Sequence, residues 1–97
     1  MAAKRAERHE FLKAWFEEHR RATVRDERLI DHYALEFGAS VSQRDNAFSC
    51  KLLQLDLAQL WGLGVLDRDT LSLDSKLFNG REARVWIYEY RAKGDPP

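Results

Sequence analysis

The spacing of apolar and polar residues predicts three helices in the N-terminal part of the chain. The first, Ala3 to Arg21, carries one apolar stripe on an otherwise charged rod: Phe11, Leu12, Trp15, Phe16 and His19. This helix is longer than the about three turns that cover a small core, which indicates a second role for it.

The second helix follows Thr23 to Asp26, a capping-box pattern in which the Thr23 hydroxyl caps an early amide and Asp26 reaches back. Gly38 suits the left-handed residue past its end. The apolar positions between them repeat at helical spacing: Leu29, Ile30, Tyr33, Ala34 and Phe37. In an alternative interpretation, Ala22 to Val24 form a short strand that joins the later hairpin.

Ser42 to Asp45 form another capping-box pattern, which predicts that the third helix opens there. Gly62 and Gly64 end it. Its downstream half is apolar around most of its circumference, so we expect a central helix packed by the first two helices or by a partner chain. These apolar residues are Phe48, Leu52, Leu53, Leu55, Leu57, Leu60 and Trp61.

Two extended runs follow, 71–78 and 84–91, separated by Asn79-Gly80. This dipeptide predicts a β-hairpin, because both central residues of a type I′ turn need positive φ. Along the second run, Trp86, Tyr88 and Tyr90 alternate with Val85 and Ile87. We expect one face of the hairpin to meet the helices. The aromatic face would pack elsewhere, on the long first helix or a second subunit.

Length and composition predict one folded domain, residues 1–93, with a flexible tail at 94–97. The chain has 97 residues, of which 44% are hydrophobic and 33% charged. The 16 basic and 16 acidic residues balance, so the net charge gives no support to nucleic-acid binding, although a local patch is compatible with it. No run of residues is apolar enough to span a membrane, and a cytoplasmic location is the expectation.

Few residues point to catalysis or metal binding. His9, His19 and His32 lack the i, i+4 spacing of a helical metal site, and Cys50 is interpreted as a small buried hydrophobe. Phosphate-binding glycine loops and nucleophile elbows are missing. The sequence therefore predicts no enzyme, no metal and no cofactor.

Leu57-x-x-Leu60-x-x-x-Gly64-Val65-Leu66-Asp67 is similar to the end of a recognition helix that leads into a wing. On this motif and the Asn79-Gly80 tip, residues 26–91 resemble the winged helix-turn-helix superfamily of bacterial, archaeal and phage DNA-binding proteins. The resemblance implies an α+β, mainly helical fold, with three helices followed by a β-hairpin wing and a long N-terminal helix. The chain departs from it in the long stretch between Gly38 and Gly64, which requires an extended third helix or a long connecting loop.

The resemblance implies three groups of DNA-contacting residues, each of which is otherwise an ordinary solvated surface. The start of the third helix would read base edges with Ser42, Gln43, Arg44, Asn46, Ser49 and Lys51. The wing would lie along the DNA backbone and contact it through Lys76, Asn79, Arg81 and Arg84. Near the junction of the first two helices, the phosphate contacts would come from Arg21, Arg25 and Arg28.

The implied function is sequence-specific binding of double-stranded DNA by a small dimeric transcriptional regulator. A plasmid or phage replication or partition factor would use the same surfaces. The alternative is a winged-helix module for protein–protein interaction. It is motivated by the balanced charge and by the aromatic side chains of the last strand.

Overall fold

A computed structural model of the chain describes residues 4–44, 47–78 and 81–96. In chain order the elements are α1 (Arg5–His19), β1 (Arg21–Thr23), α2 (Glu27–Phe37), β2 (Ser42–Arg44), β3 (Ala47–Ser49), α3 (Lys51–Gly62), β4 (Leu66–Phe78) and β5 (Arg81–Ala92). An antiparallel sheet has the order β1-β5-β4, and β2 pairs with β3 alone. The α+β class is confirmed. The expectation that the fold is mainly helical is not confirmed, because the strands hold nearly as many residues as the helices.

α1 carries the predicted apolar stripe, and Leu12, Trp15 and Phe16 are buried. The helix ends at His19, before the predicted Arg21. Arg20 takes a positive φ of 71° there and donates its N–H to the Phe16 carbonyl. The reason is that Arg21 already pairs in β1, so the chain must leave the helical path before it. α1 is the longest of the helices in the described residues.

α2 is capped by Asp26 and not by Thr23. The Asp26 carboxylate accepts the N–H groups of Arg28 and Leu29, whereas the Thr23 hydroxyl accepts that of Arg25. Thr23 is unsuited to the cap because it lies in β1, opposite Glu89 of β5. The alternative prediction of a short strand at this position is therefore confirmed, as is the left-handed Gly38 at the helix end.

The predicted start of the third helix is wrong. Residues 42–44 form β2, which pairs with β3 through Gln43 opposite Phe48, and α3 begins only at Lys51. The polar residues of this segment fit a turn as well as a helix cap, and Phe48 of β3 packs against the core. The long stretch between Gly38 and Gly64 is thus a connection that contains a small sheet, followed by a helix of ordinary length.

The predicted glycine stop at the end of α3 is confirmed. Gly64 has a φ of 76°, its N–H donates to the Trp61 carbonyl at 3.0 Å, and the Val65 N–H donates to the Leu60 carbonyl at 2.9 Å. These two bonds define a Schellman motif, which satisfies the last carbonyls of a helix. The motif turns the chain directly into β4, one residue later.

The hairpin is confirmed and is longer than predicted. β4 and β5 pair from Leu66 opposite Ala92 to Phe78 opposite Arg81, with an irregularity between Leu73 and Lys76. Asn79 and Gly80, the predicted turn, lie outside the described residues. The longer strands bring the hairpin base against the helices, where Leu66 and Ala92 are buried.

The two faces of the hairpin differ from the expectation. Trp86, Tyr88 and Tyr90 do share one face, but this is the face that meets the helices, because Tyr90 belongs to the buried core. Tyr88 and Trp86 lie further along the same face, and 44% and 59% of their surfaces are exposed. Ile87 is on the opposite face, across from Leu71.

The core joins all three helices to β1, β4 and β5, and its members include Leu12, Phe16, Ala22, Leu29, Ile30, Tyr33, Leu53, Leu57, Leu60, Leu66 and Tyr90. Cys50 is buried among them, as predicted. The helices of the described part are too short and too polar to cross a bilayer.

Asp56 is a fully buried carboxylate that links the three helices. It lies on α3 and accepts the Nε–H of Arg8 on α1 at 2.8 Å and the hydroxyl of Tyr33 on α2 at 2.5 Å. The Nε2 atom of His9 lies 3.6 Å from its other oxygen. Asp56 raises the pKa of Arg8, mainly through the hydrogen bond. The sequence analysis did not identify this cluster.

Tyr33 is expected to make the protein less stable in alkali. Burial and its hydrogen bond to Asp56 raise the pKa of Tyr33 above the ordinary value of about 10. The folded protein therefore keeps a proton that the unfolded chain loses. This contribution is complete below about pH 10 and is lost as the pH rises further. Urea unfolding across this range should show a smaller loss of stability for Tyr33→Phe than for the wild type, and parallel curves would contradict the prediction.

Candidate functional site

An open groove of about 410 Å³ lies between α3 and the β4–β5 hairpin and ends at the residues that follow β1. Its charged side chains are Arg25 and Arg68, and no carboxylate lines it among the described residues. The groove is therefore cationic in a chain whose net charge is zero. Its walls also include Val24, Ser49, Gln54, Ala58, Trp86, Ile87, Tyr88 and Tyr90.

Arg68 is held in the groove by aromatic rings. Its guanidinium carbon lies 3.5 Å from the centroid of the Trp61 ring and 4.0 Å from that of Tyr88, and Nη1 donates to the Tyr90 hydroxyl at 3.4 Å. The register places Arg68 opposite Tyr90, and the end of α3 supplies Trp61. Stacking of this kind fixes the plane of a guanidinium and stabilises it by about 0.5–1 kcal/mol per exposed ring. The charge of Arg68 therefore has a defined position.

Large aromatic side chains at the groove are partly open to solvent. Trp86 is the most exposed of its aromatic residues, and Trp61, which stacks on Arg68, is 45% exposed. Exposed aromatic surface on a folded domain marks sites of interaction.

Only part of the predicted phosphate-contacting group is available for binding. Arg25 is exposed and makes no ion pair with any described residue, and Arg28 is exposed beside Asp26, at 3.9 Å. Arg21, in contrast, donates to Asp95 at 2.8 Å and lies 3.7 Å from Glu89. The hydrogen bond from Arg21 lowers the pKa of Asp95. Arg21 thus connects β1 to the C-terminal segment.

The predicted reading residues do not lie together on one helix. Ser49 lines the groove, while Lys51 is exposed in the first turn of α3. Ser42 and Lys51 border a second hollow, near the end of α2. Gln43 is exposed on β2 and Arg44 ends that strand, whereas Asn46 lies outside the described residues.

The predicted wing residues lie at the far end of the hairpin. Lys76 pairs with Ala83, and Arg81 pairs with Phe78 next to the turn. Arg84 lies on β5 between these pairs and the core. Asn79 falls outside the described residues. The backbone thus places these residues away from the core, and their contact with DNA stays a prediction.

The sequence analysis missed the residues that α3 and β4 contribute to the groove. Gln54, Ala58 and Trp61 recur at i, i+4 and i+7, a spacing that would have shown their common face once the start of α3 was known. No sequence pattern indicated a role for Arg68, because strand register determines which rings stack on it. The described residues contain no group of His, Cys, Asp or Glu side chains that could hold a metal ion.

Comparison of the chain with protein-family models, curated proteins and solved structures finds no match. Inference about function therefore starts from the groove itself. Its guanidinium groups, amide and hydroxyl groups and aromatic ring faces are suited to binding an anionic partner by charge, hydrogen bonds and stacking.

Proposed function

We propose that this chain is a DNA-binding protein with a winged helix-turn-helix fold, and that the groove face contacts the DNA. The observation that carries the proposal is the cationic groove between the third helix and the hairpin, with Arg25 and Arg68 and no described carboxylate. The order of elements supports it, since the three helices precede a hairpin whose second strand pairs with β1. Helix and wing are the two DNA-contacting parts of such a fold.

In this proposal one face of α3 enters the major groove, which is wide enough for one helix. That face carries the exposed Lys51 and the half-buried Gln54 and Ala58, at i, i+3 and i+7. Gln54 can pair with adenine, and Lys51 can bind guanine or phosphate. The reading residues are thus proposed to lie further along the chain than the sequence pattern indicated.

The hairpin and the start of α2 are proposed to hold the DNA backbone. Arg25 lies just before α2, is exposed, and lines one end of the groove, where its guanidinium can bind a phosphate. Two copies of the chain would address two half-sites, as in dimeric regulators of this class. The proposed role is regulation of transcription, and replication or partition would use the same surfaces.

The proposal predicts salt-dependent binding of duplex DNA that requires Arg25 and Lys51. Fluorescence anisotropy on random-sequence duplex should show affinity falling steeply from about 50 to 200 mM salt, because phosphate contacts release counterions. The double variant Arg25→Ala, Lys51→Ala should bind about tenfold more weakly and lose about one unit of salt slope per removed contact.

A charge-matched control is available on α1. Arg5 and Lys13 are both cationic but lie neither in the groove nor on α3, so Arg5→Ala, Lys13→Ala should leave duplex affinity nearly unchanged. The absence of binding at about 50 mM salt would contradict the proposal. So would an equal loss of affinity in the Arg25→Ala, Lys51→Ala variant and in the control.

A second candidate function is protein–protein interaction through the same face. It is favoured by the exposed side chains of Trp86 and Tyr88, since aromatic residues are enriched at protein interfaces. This function requires no affinity for DNA, so the salt titration separates the two candidates.

A further inference from the structure

Trp86 and Tyr88 lie on one face of β5. They are two residues apart in the strand, and their cross-strand partners are the small side chains Ser72 and Thr70. The Tyr88 ring already contacts the Arg68 guanidinium, at 4.0 Å. The small partner of Trp86 leaves its ring largely uncovered, which agrees with its 59% exposure. The Trp86 ring therefore offers a surface on which a flat base can stack.

Ring faces recognise unpaired bases better than paired ones. The faces of bases inside a duplex are already covered by their neighbours, whereas unpaired bases can stack on aromatic side chains. The polar side chains available to read base edges inside the groove are few, and they include Ser49 and Gln54. The chemistry of the hairpin wall is therefore that of a stacking surface.

The cationic side chains of the groove can contact the phosphates of the same nucleic-acid strand whose bases stack on the aromatic rings. Arg25 is exposed at one end of the groove, and Arg68 is fixed by Trp61 beside the aromatic residues of β5. A guanidinium that is stacked through its faces keeps N–H groups at its edge for phosphate oxygens. Cations that follow a backbone beside stacking rings are the common arrangement for single-stranded nucleic acid.

We infer that the groove binds DNA that is partly single-stranded, with an unpaired base stacked on Trp86 and the adjoining phosphates on Arg25 and Arg68. This inference rests on the proposed function, because it assigns the kind of DNA that the groove prefers. The helix α3 then engages the neighbouring duplex. An acidic peptide shares the charge of this ligand but offers no series of flat bases, and it is an outcome of the test.

The test compares three labelled DNAs of one sequence by fluorescence anisotropy. These are a blunt duplex, the same duplex with an overhang of about ten thymidines, and the isolated overhang strand. The wild type should bind the overhang duplex about tenfold more tightly than the blunt duplex. In Trp86→Ala this preference should disappear, so that the overhang duplex and the blunt duplex bind with equal affinity.

Two further variants separate stacking from a general loss of apolar surface. Leu71→Ala removes an exposed apolar side chain from the opposite face of the hairpin and should keep the preference. Trp86→Phe retains a ring face, so it should keep most of the preference. It should also lose most of the quenching of tryptophan fluorescence that the overhang causes in the wild type, while Trp61, which contacts Arg68, retains a smaller change.

The outcomes distinguish this inference from the proposed function. Salt-dependent binding of all three DNAs with equal affinity, or a preference that persists in Trp86→Ala, overturns the inference and leaves the proposed function intact. No binding to any of the DNAs overturns both. Binding of an acidic, aromatic-free peptide in their place would assign the groove to a protein partner.

Discussion

Replacement of Asp56 by alanine is expected to lower the free energy of unfolding by about 3–5 kcal/mol, the loss typical of breaking a buried ion pair. The substitution removes the acceptor of both the Arg8 guanidinium and the Tyr33 hydroxyl. The Arg8 side chain is only 13% exposed, so its charge would remain largely desolvated without its partner. The three helices would also lose the polar contact at which they meet.

Urea denaturation of the wild type and two further variants measures this effect. Tyr33→Phe removes one hydrogen bond but leaves Arg8 paired, so we expect a smaller loss of about 1–2 kcal/mol. Asp31→Ala removes an exposed aspartate from α2 and should change stability by less than about 0.5 kcal/mol. A loss below about 1 kcal/mol for Asp56→Ala would show that Asp56 does not hold the helices together.

Leu57→Ala is expected to destabilise the protein by about 2–5 kcal/mol, because it removes a fully buried side chain from the centre of α3. Leu57 belongs to the core that α1, α2 and the sheet share, so the surrounding side chains can collapse only partly into the space. A loss of this size should lower the melting temperature by more than about 8 °C in a domain this small.

Leu55→Ala is the matched control for this substitution. It makes the same chemical change two residues away on the same helix, but Leu55 is 55% exposed. We expect its melting temperature to stay within about 4 °C of the wild type. Equal losses of stability in the two variants would mean that α3 does not bury the face that carries Leu57.

The elements that the sequence predicted correctly depend on local chemistry. The helical spacing of Leu12, Trp15 and Phe16 predicted α1, and glycine marked the ends of α2 and α3 because of the left-handed turn there. The Asn79-Gly80 dipeptide predicted the hairpin that β4 and β5 form. Each of these signals extends over a few residues and needs no knowledge of the tertiary contacts.

The predicted start of α3 was wrong because two local signals compete in one segment. Ser42 to Asp45 fits a capping box, yet the same polar residues favour a turn between two short strands. Phe48 decides between them through its packing against the core, a long-range contact. The sequence pattern alone does not contain that contact.

Asp56 and Arg68 were missed for a similar reason. Asp56 has leucine on both sides in the sequence, and its partners Arg8 and Tyr33 lie 48 and 23 positions away. The environment of Arg68 depends on strand register and on how the end of α3 is oriented. The polar chemistry of a fold depends on such distant pairs, whereas its helices and hairpins are largely local.

The position of β5 has a consequence for the order in which the protein folds during its synthesis. β5 lies between β1 and β4 in the sheet, although it is the last described strand to be translated. Ala22 of β1 is synthesised early, whereas Tyr90, its cross-strand partner on β5, is synthesised late. Before β5 is synthesised, the sheet cannot cover the apolar faces of the helices. We therefore expect the shared core of the helices and the sheet to form only after β5 has been synthesised.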